Sequence, residues 1–433
     1  MSAPTGTTDA ARYRLAEVLV LAAAVIIALV GLRTVYVNDN GFSRLATVYA
    51  LVHQGTWFLD APGGVTENPF APLTVDKVKV GDHFLSSKPP FMPLCMAGGY
   101  WVISSVSGLS FEHQPDWKLL VRMLTVIFGI LPYAAGLVFF ALTLRDYIAS
   151  PRVRLALLVA LAFGTEYAAF APQLINHVPG TSFCLGATYF GLGLATGKHA
   201  PVPWRFVCFG ALGGLAHTFE LPLTVFVAVL GLALLWRFPR ETMLWGGLGM
   251  LPPVLGQAAV LYSNTGLPFP VQLRKELYLF ENSPWRAPAG IDGLNEPKAL
   301  YAFHLLIGRH GVFSLFPILL FGLAAWCTAA YRALPLRGAI LASGFCVAVL
   351  FAYYIKGTDN YGGAAYGFRW GIGAMPMLLL MAAPLLDTLR NRFAWGVVFA
   401  ALMVSAYSWW ECYRNPWSTD AEWTVRYLFG PTF

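Results

Sequence analysis

Residues 38–62 read NDNGFSRLATVYALVHQGTWFLDAP, and the same polar stretch closes at 80–93 on VGDHFLSSKPPFMP. It is the first long polar break in an apolar chain. One apolar segment, from about Leu15 to Val37, precedes it. After it, apolar runs recur near 91–109, 118–144, 154–172, 178–197, 205–219, 221–236, 243–262, 312–331, 337–355, 371–386 and 394–411. This layout decides the fold class, an all-α polytopic membrane protein. Of 433 residues, 57% are hydrophobic and 12% charged, against roughly 25% charged in ordinary globular chains. A water-soluble core cannot hide that much apolar surface, so the bilayer is the solvent for most of it.

Arg12 and Arg14 precede the first helix and place the N-terminus in the cytoplasm. That helix runs too far to be a cleaved signal, so it stays as an anchor. The polar stretch is then extracytoplasmic. Within it, Phe42, Leu45, Val48, Tyr49 and Val52 recur at helical spacing and predict a surface helix over Gly41–Gln54, ended by Gly55. Basic turns at Arg145/Arg152/Arg154, Lys198/Arg205, Arg237/Arg240, Arg332/Arg337 and Arg390/Arg392 belong together on the cytoplasmic side. That leaves three more outer regions: 263–311, 356–370 and the tail 412–433. Two apolar runs between Lys88 and Arg145 conflict with this alternation. Either 91–109 does not cross fully, or 118–144 breaks at Pro132, or the Arg145 turn is an exception. The expectation is one domain, 1–433, of 11–13 spanning helices. The net charge of +7 reports loop placement, not nucleic acid. The six cysteines form no CxxC pair and read as small buried hydrophobes.

The chemistry-bearing residues cluster at predicted outer boundaries. Asp39 lies about one turn beyond the first helix, where an acid is either a helix-end polar group or a general base. Lys88 sits on a rigid Pro-Pro corner at the depth of a lipid phosphate, and reads either as a snorkelling lysine or as a phosphate-binding cation. Asp60, Glu67, Asp76, Asp82, His53 and His83 match no metal-ligand spacing and read first as solvated loop polarity, with Asp82–His83 the one pair able to join a site. Arg309 and His310 close the 263–311 region. The segment KGTDNYGGAAYGFRW carries glycines that let backbone approach a ligand, with Tyr361 and Tyr366 as sugar-stacking candidates and Arg369 as a phosphate fork. Asn176, His177, His217 and Glu220 stand near outer helix ends and suggest a polar cavity facing the first loop.

A single first helix, an acid, G-x-W at Gly55 and Trp57, and K-P-P at Lys88, Pro89 and Pro90 together resemble the GT-C superfamily of membrane glycosyltransferases, which includes the protein O-mannosyltransferases and the lipid A aminoarabinose transferase. The match covers about the first quarter of the chain. The resemblance implies a GT-C-like bundle with juxtamembrane helices in its first loop and an outward-facing site in a membrane, expected to be a bacterial inner membrane. It implies sugar transfer (hexosyl or pentosyl) from a polyprenyl-phosphate donor to the hydroxyl of a lipid, glycan or protein acceptor. Asp39 then takes the catalytic acid's place, with Asn40 where the family carries its second acid. Lys88 takes the donor-phosphate contact, with Arg44, Arg309 and Arg369 beside it, and Asn40, His83, His177, His310, Tyr361 and Tyr366 line the substrate. No cofactor is required; a divalent metal is compatible with the site, and no metal ligands are assigned. The competing readings are a transporter or flippase of a lipid-linked or amphipathic solute, and a non-catalytic member that keeps only lipid-phosphate binding.

Overall fold

The computed structural model describes residues 5–32, 37–60 and 67–431, with side chains from residue 11 onward. Helix α1, Thr5–Gly31, is 27 residues long, about 40 Å at 1.5 Å per residue, and its apolar surface faces outward. Among the described residues five helices are long and apolar enough to cross a membrane: Ala11–Gly31 within α1, Gln114–Tyr147, Pro239–Thr265, Arg337–Gly357 and Arg392–Arg414. Four shorter apolar helices, Phe91–Ser107, Leu221–Arg237, Pro317–Tyr331 and Ala374–Asp387, pack among them. The chain is an integral membrane protein, and its large core joins these helices to the buried loops at one end.

Polar contacts sort the loops. Glu17 of α1 pairs with Arg145 at 2.6 Å and Arg154 at 3.3 Å. Near them His199 meets Asp146 at 2.9 Å, Arg237 donates to the Ala195 carbonyl, and the Ser150 N–H donates to Asp387. Leu336 and Tyr147 line one apolar cavity of about 80 Å³. All five basic turns therefore meet at the Glu17 end. The polar regions meet at the other: Gln272 donates to the Ser87 carbonyl at 2.6 Å, the Leu294 N–H to that of Asp359, and the Tyr366 N–H to that of Pro416.

The crossing conflict resolves in favour of a helix that does not span. Helix α2 is Asp39–Tyr49 and α3 is Phe91–Ser107. The start of α3 adjoins Lys88. Beyond its far end, the Phe111 N–H donates to the Tyr100 hydroxyl, which lies 2.7 Å from His53 just past α2. Both ends of α3 thus stay at the Leu32 end. Helix α4, Gln114–Tyr147, makes the crossing. Arg122 donates to the Leu32 carbonyl at 2.9 Å near its start, and Arg145 reaches Glu17 near its finish. Pro132 does not break it: the helix passes through a π-helical turn at Val126–Ile130, and Pro132 follows in the next segment.

Two further expectations change. The α2 helix is not a surface helix; residues 43–50 are all buried, because α3 and the loop that follows α2 cover both faces. It passes into a π-helical turn, Ala50–Gln54, and ends as expected on Gly55, whose φ of 64° is left-handed. The 154–172 run is helical only over Pro151–Phe163 and a short turn, Glu166–Ala169. The irregular backbone that follows, through Asn176, is wholly buried, which is how non-helical chain is tolerated at membrane depth.

Candidate active site

A short hairpin builds the floor. Strands β1, Lys77–Val80, and β2, His83–Ser86, pair antiparallel with Lys77 opposite Ser86, and Gly81 and Asp82 turn between them. That register sets Asp76 beside Ser87 and Lys88. The Ser87 N–H donates to the Asp76 carbonyl at 3.1 Å, and the Lys88 ammonium lies 2.8 Å from the Asp76 carboxylate. Ser43 of α2 donates to the same carbonyl at 2.5 Å and lies 2.6 Å from Ser86. The Pro-Pro corner then fixes the entry into α3. Both ends of the ion pair are largely buried, with side-chain exposures of 16% and 11%. Asp76, read from sequence as solvated polarity, is thus the immediate partner of Lys88.

Two arginines face this pair. Arg44 is fully buried; it donates to the Asn40 carbonyl at 2.8 Å and to the side-chain oxygen of Asn176. Asn176 passes a hydrogen bond to Glu220 at 2.7 Å, and His177 lies 2.5 Å from the same oxygen. These are three of the four helix-end residues that the sequence grouped as a polar cavity; the fourth, His217, lies 2.8 Å from the Thr224 hydroxyl instead. Arg369 comes from the glycine-rich loop. It donates to the Gly362 carbonyl and lies 5.2 Å from the Trp417 ring, itself held by Gln173 at 2.9 Å. The Nε atoms of both arginines are buried without an acceptor among the described residues, an expensive state for a charged donor.

Burial lowers the pKa of all three cations. Arg44 is brought down to about 10, with Asp76 opposing and Arg369 adding to the fall. Lys88 is lowered by burial, against the pull of Asp76. Arg369 is lowered likewise, against Asp76, Glu220 and Asp292. The three cations form one electrostatic site: the charges of Arg44 and Arg369 both act on Lys88. A slot of about 30 Å³ adjoins Lys88, walled by Pro90, Pro93, Val260, Leu261 and Val271.

Asp39 stands at the rim. It is exposed, and its carboxylate accepts the Val75 N–H at 3.1 Å. Asn40 contributes its carbonyl to Arg44. Asp292, which the sequence did not single out, is half-buried and interacts with Asp76, Arg369, Asp39 and Lys88.

Four expected residues lie elsewhere. Arg309 pairs with Glu296 at 3.3 Å, and Tyr361 donates to the same glutamate at 2.5 Å. His310 lies 2.8 Å from Glu422. Tyr366 donates to Glu411 at 2.9 Å. These form a second cluster. Tyr361 and Tyr366 are 1% and 0% exposed, so neither ring offers a face to a sugar. His83 also stands apart, on the hairpin, 3.7 Å from Asp60. Among the described residues no group of three His, Cys, Asp or Glu side chains is placed to hold a metal ion.

The hairpin was the missed signal. VDKVKVGDHFLS alternates and turns on Gly-Asp, a strand-turn-strand pattern that would have set Asp76 against Lys88. No local pattern marks Asp292 or Trp417.

No family model matches the chain, and no curated protein matches it. Solved structures do. ArnT from Cupriavidus metallidurans bound to undecaprenyl phosphate superposes with a TM-score of 0.57 at 15% identity, over 89% of this chain and 62% of that one. The apo state of ArnT from the same organism gives 0.53 at 16% identity, over 88% and 61%. The chain thus spans about three fifths of the length of those proteins. At this identity the likeness establishes the fold alone, an all-α polytopic architecture.

Proposed function

We propose that the protein is a membrane glycosyltransferase that moves a sugar from a polyprenyl-phosphate donor to an acceptor hydroxyl on the extracytoplasmic side. One observation carries this reading: Lys88, Arg44 and Arg369 converge at the boundary end of the bundle, and the two guanidinium Nε atoms lack acceptors among the described residues. That is provision for a phosphate at headgroup depth. The fold supports it, since ArnT with the same architecture holds undecaprenyl phosphate. The slot beside Lys88 has apolar walls suited to the first isoprenoid units. N-terminal Arg12 and Arg14 keep the Glu17 end in the cytoplasm, so the cations face outward.

The mechanism follows from charge. The acceptor oxygen attacks the anomeric carbon, and the bond from that carbon to the phosphate oxygen breaks. Negative charge grows on the departing lipid phosphate, and cations already fixed in a dry site stabilise it by roughly 3 kcal/mol each. Asp76 neutralises Lys88 in the resting protein, so the ammonium shares itself between Asp76 and the phosphate as charge develops. A carboxylate at the rim takes the acceptor proton; Asp39, which the resemblance nominates, and Asp292 are both within reach of the cations.

A transporter would need ionisable groups along a path through the bundle. Here the ion pairs among the described residues gather at the two ends of the bundle.

The test uses the purified full-length protein in lipid nanodiscs. Undecaprenyl phosphate should bind, and undecaprenyl phosphate charged with labelled hexoses or a pentose should yield a new glycosidic bond to an envelope acceptor. Lys88→Ala should lose both. Binding and turnover that survive Lys88→Ala and Arg369→Ala would refute the assignment.

A further inference from the structure

Asp292 lies in the short turn Gly290–Asp292 of the 263–311 region. Three contacts pin that region to the glycine-rich loop: Leu294 N–H to the Asp359 carbonyl at 2.9 Å, Lys298 to Asp359 at 2.7 Å, and the Tyr301 hydroxyl to the Asn360 carbonyl at 2.6 Å. The result is a shared mount. A Cβ placed on Gly363 would stand 3.7 Å from both the Asp292 carboxylate and the Arg369 guanidinium. The φ of 74° at Gly363 favours glycine at this position between the two groups.

Three other carboxylates at this end already serve other groups. Asp76 is held 2.8 Å from Lys88. One Glu220 oxygen is shared by Asn176 and His177. Asp39 is exposed and holds the Val75 N–H. Asp292 makes no hydrogen bond or ion pair among the described residues, yet its charge environment is set by Asp76, Arg369, Asp39 and Lys88. Burial and Asp76 raise its pKa, against Arg369. A carboxylate so placed accepts a proton more strongly than an exposed aspartate, the property a general base needs.

We propose that Asp292, mounted with Arg369 on either side of Gly363, is the group that removes the acceptor's hydroxyl proton. This rests on the transferase reading above. The acceptor O–H bond breaks and its proton goes to the Asp292 carboxylate. The oxygen forms the bond to the anomeric carbon, and the electron pair of the breaking bond leaves on the lipid phosphate beside Arg369 and Lys88. The proton then passes from Asp292 to water.

The test takes nanodisc-embedded full-length protein with the labelled undecaprenyl-phosphate sugar that the wild type turns over. Asp292→Asn should lower kcat by about 100-fold, with undecaprenyl phosphate affinity within twofold of wild type. Asp292→Glu should recover part of that loss. The wild-type kcat should fall on acidification through a limb above the ordinary aspartate range, and Asp292→Asn should lack that limb. Asp39→Asn should cost at least tenfold less than Asp292→Asn. A kcat within threefold of wild type in Asp292→Asn, the reverse order for the two variants, or loss of undecaprenyl phosphate binding in Asp292→Asn overturns the assignment. Undecaprenyl phosphate binding that vanishes in Lys88→Ala but not in Asp292→Asn keeps the donor site separate from the base. A wild type that neither binds undecaprenyl phosphate nor turns over any charged form refutes the transferase reading itself, and this inference with it.

Discussion

Lys88 and Arg309 each sit at the end of a polar region just before an apolar stretch, and both read from sequence as cations for a lipid phosphate. The fold gives them opposite surroundings. Around Lys88 the buried atoms left without partners among the described residues are the Nε donors of Arg44 and Arg369. Around Arg309 they are mainly carboxylate oxygens, one each on Glu166 and Glu422, with the Arg309 Nε beside them. There Glu296, Glu411, Glu422 and Glu166 hold Arg309, Arg426, His310, two tyrosine hydroxyls and the N–H groups of Gly367 and Phe368. The first cluster has donors to offer an anion. The second repels one and fixes a loop instead. Gly367 shows how closely it is held: with φ of 62° and the Glu166 carboxylate against it, a Cβ has no room. That clamp sets the backbone from which Arg369 projects, so one cluster positions a member of the other.

The contrast can be broken most directly at Lys88. Replacing it by Ala should lower transfer by about 100-fold or more, and should destabilise the fold by about 3 kcal/mol because Asp76 stays buried without its partner. Calorimetric unfolding and turnover read the two effects. Lys88→Met combined with Asp76→Leu should recover stability and not activity; recovery of both would remove the catalytic meaning of the pair.

Next in size is the fork at Arg369. Lysine keeps the charge and loses the planar donors and the stacking on Trp417. Undecaprenyl phosphate affinity should fall about tenfold, the value of one charged hydrogen bond. Arg309→Ala should change that affinity less than about twofold, since its guanidinium answers Glu296. Equal losses from the two arginines would merge clusters that the structure keeps apart.

A smaller effect comes from pH. Burial lowers the Lys88 pKa from the ordinary 10.5, and Asp76 opposes this only in part. The folded protein therefore holds this proton less tightly than the unfolded chain. Stability from this group rises as pH climbs from the lowered value towards 10.5, while phosphate binding, which needs the ammonium, weakens over the same window. Titrating undecaprenyl phosphate affinity against pH should show that decline in wild type and its displacement to higher pH in Lys88→Arg.

The smallest change is expected from Glu422→Gln. It keeps an acceptor for the Gly367 N–H and weakens the bond to His310. Stability should fall by about 1 kcal/mol, with undecaprenyl phosphate affinity unchanged. A large affinity loss there would mean that the second cluster contacts the ligand.

Much of the architecture was legible in one dimension. Apolar length and low charge dictated helices in a bilayer, the basic turns dictated which loops share an end, and Gly55 dictated where α2's continuation stops. These are local or additive properties, which composition and spacing carry. Helix α3 was not decidable that way: a largely apolar helix of 17 residues suits a slanted interfacial helix as well as a short span, and only its contacts with His53 and Phe111 choose. The first-loop cations divide similarly. Lys88 and its rigid corner announce themselves in sequence. Its pairing with Asp76 depends on hairpin register, and its grouping with Arg44, Arg369 and Asp292 depends on four segments far apart in the chain. A buried charge is defined by what surrounds it, and those surroundings exist only once the loops have closed over the first one.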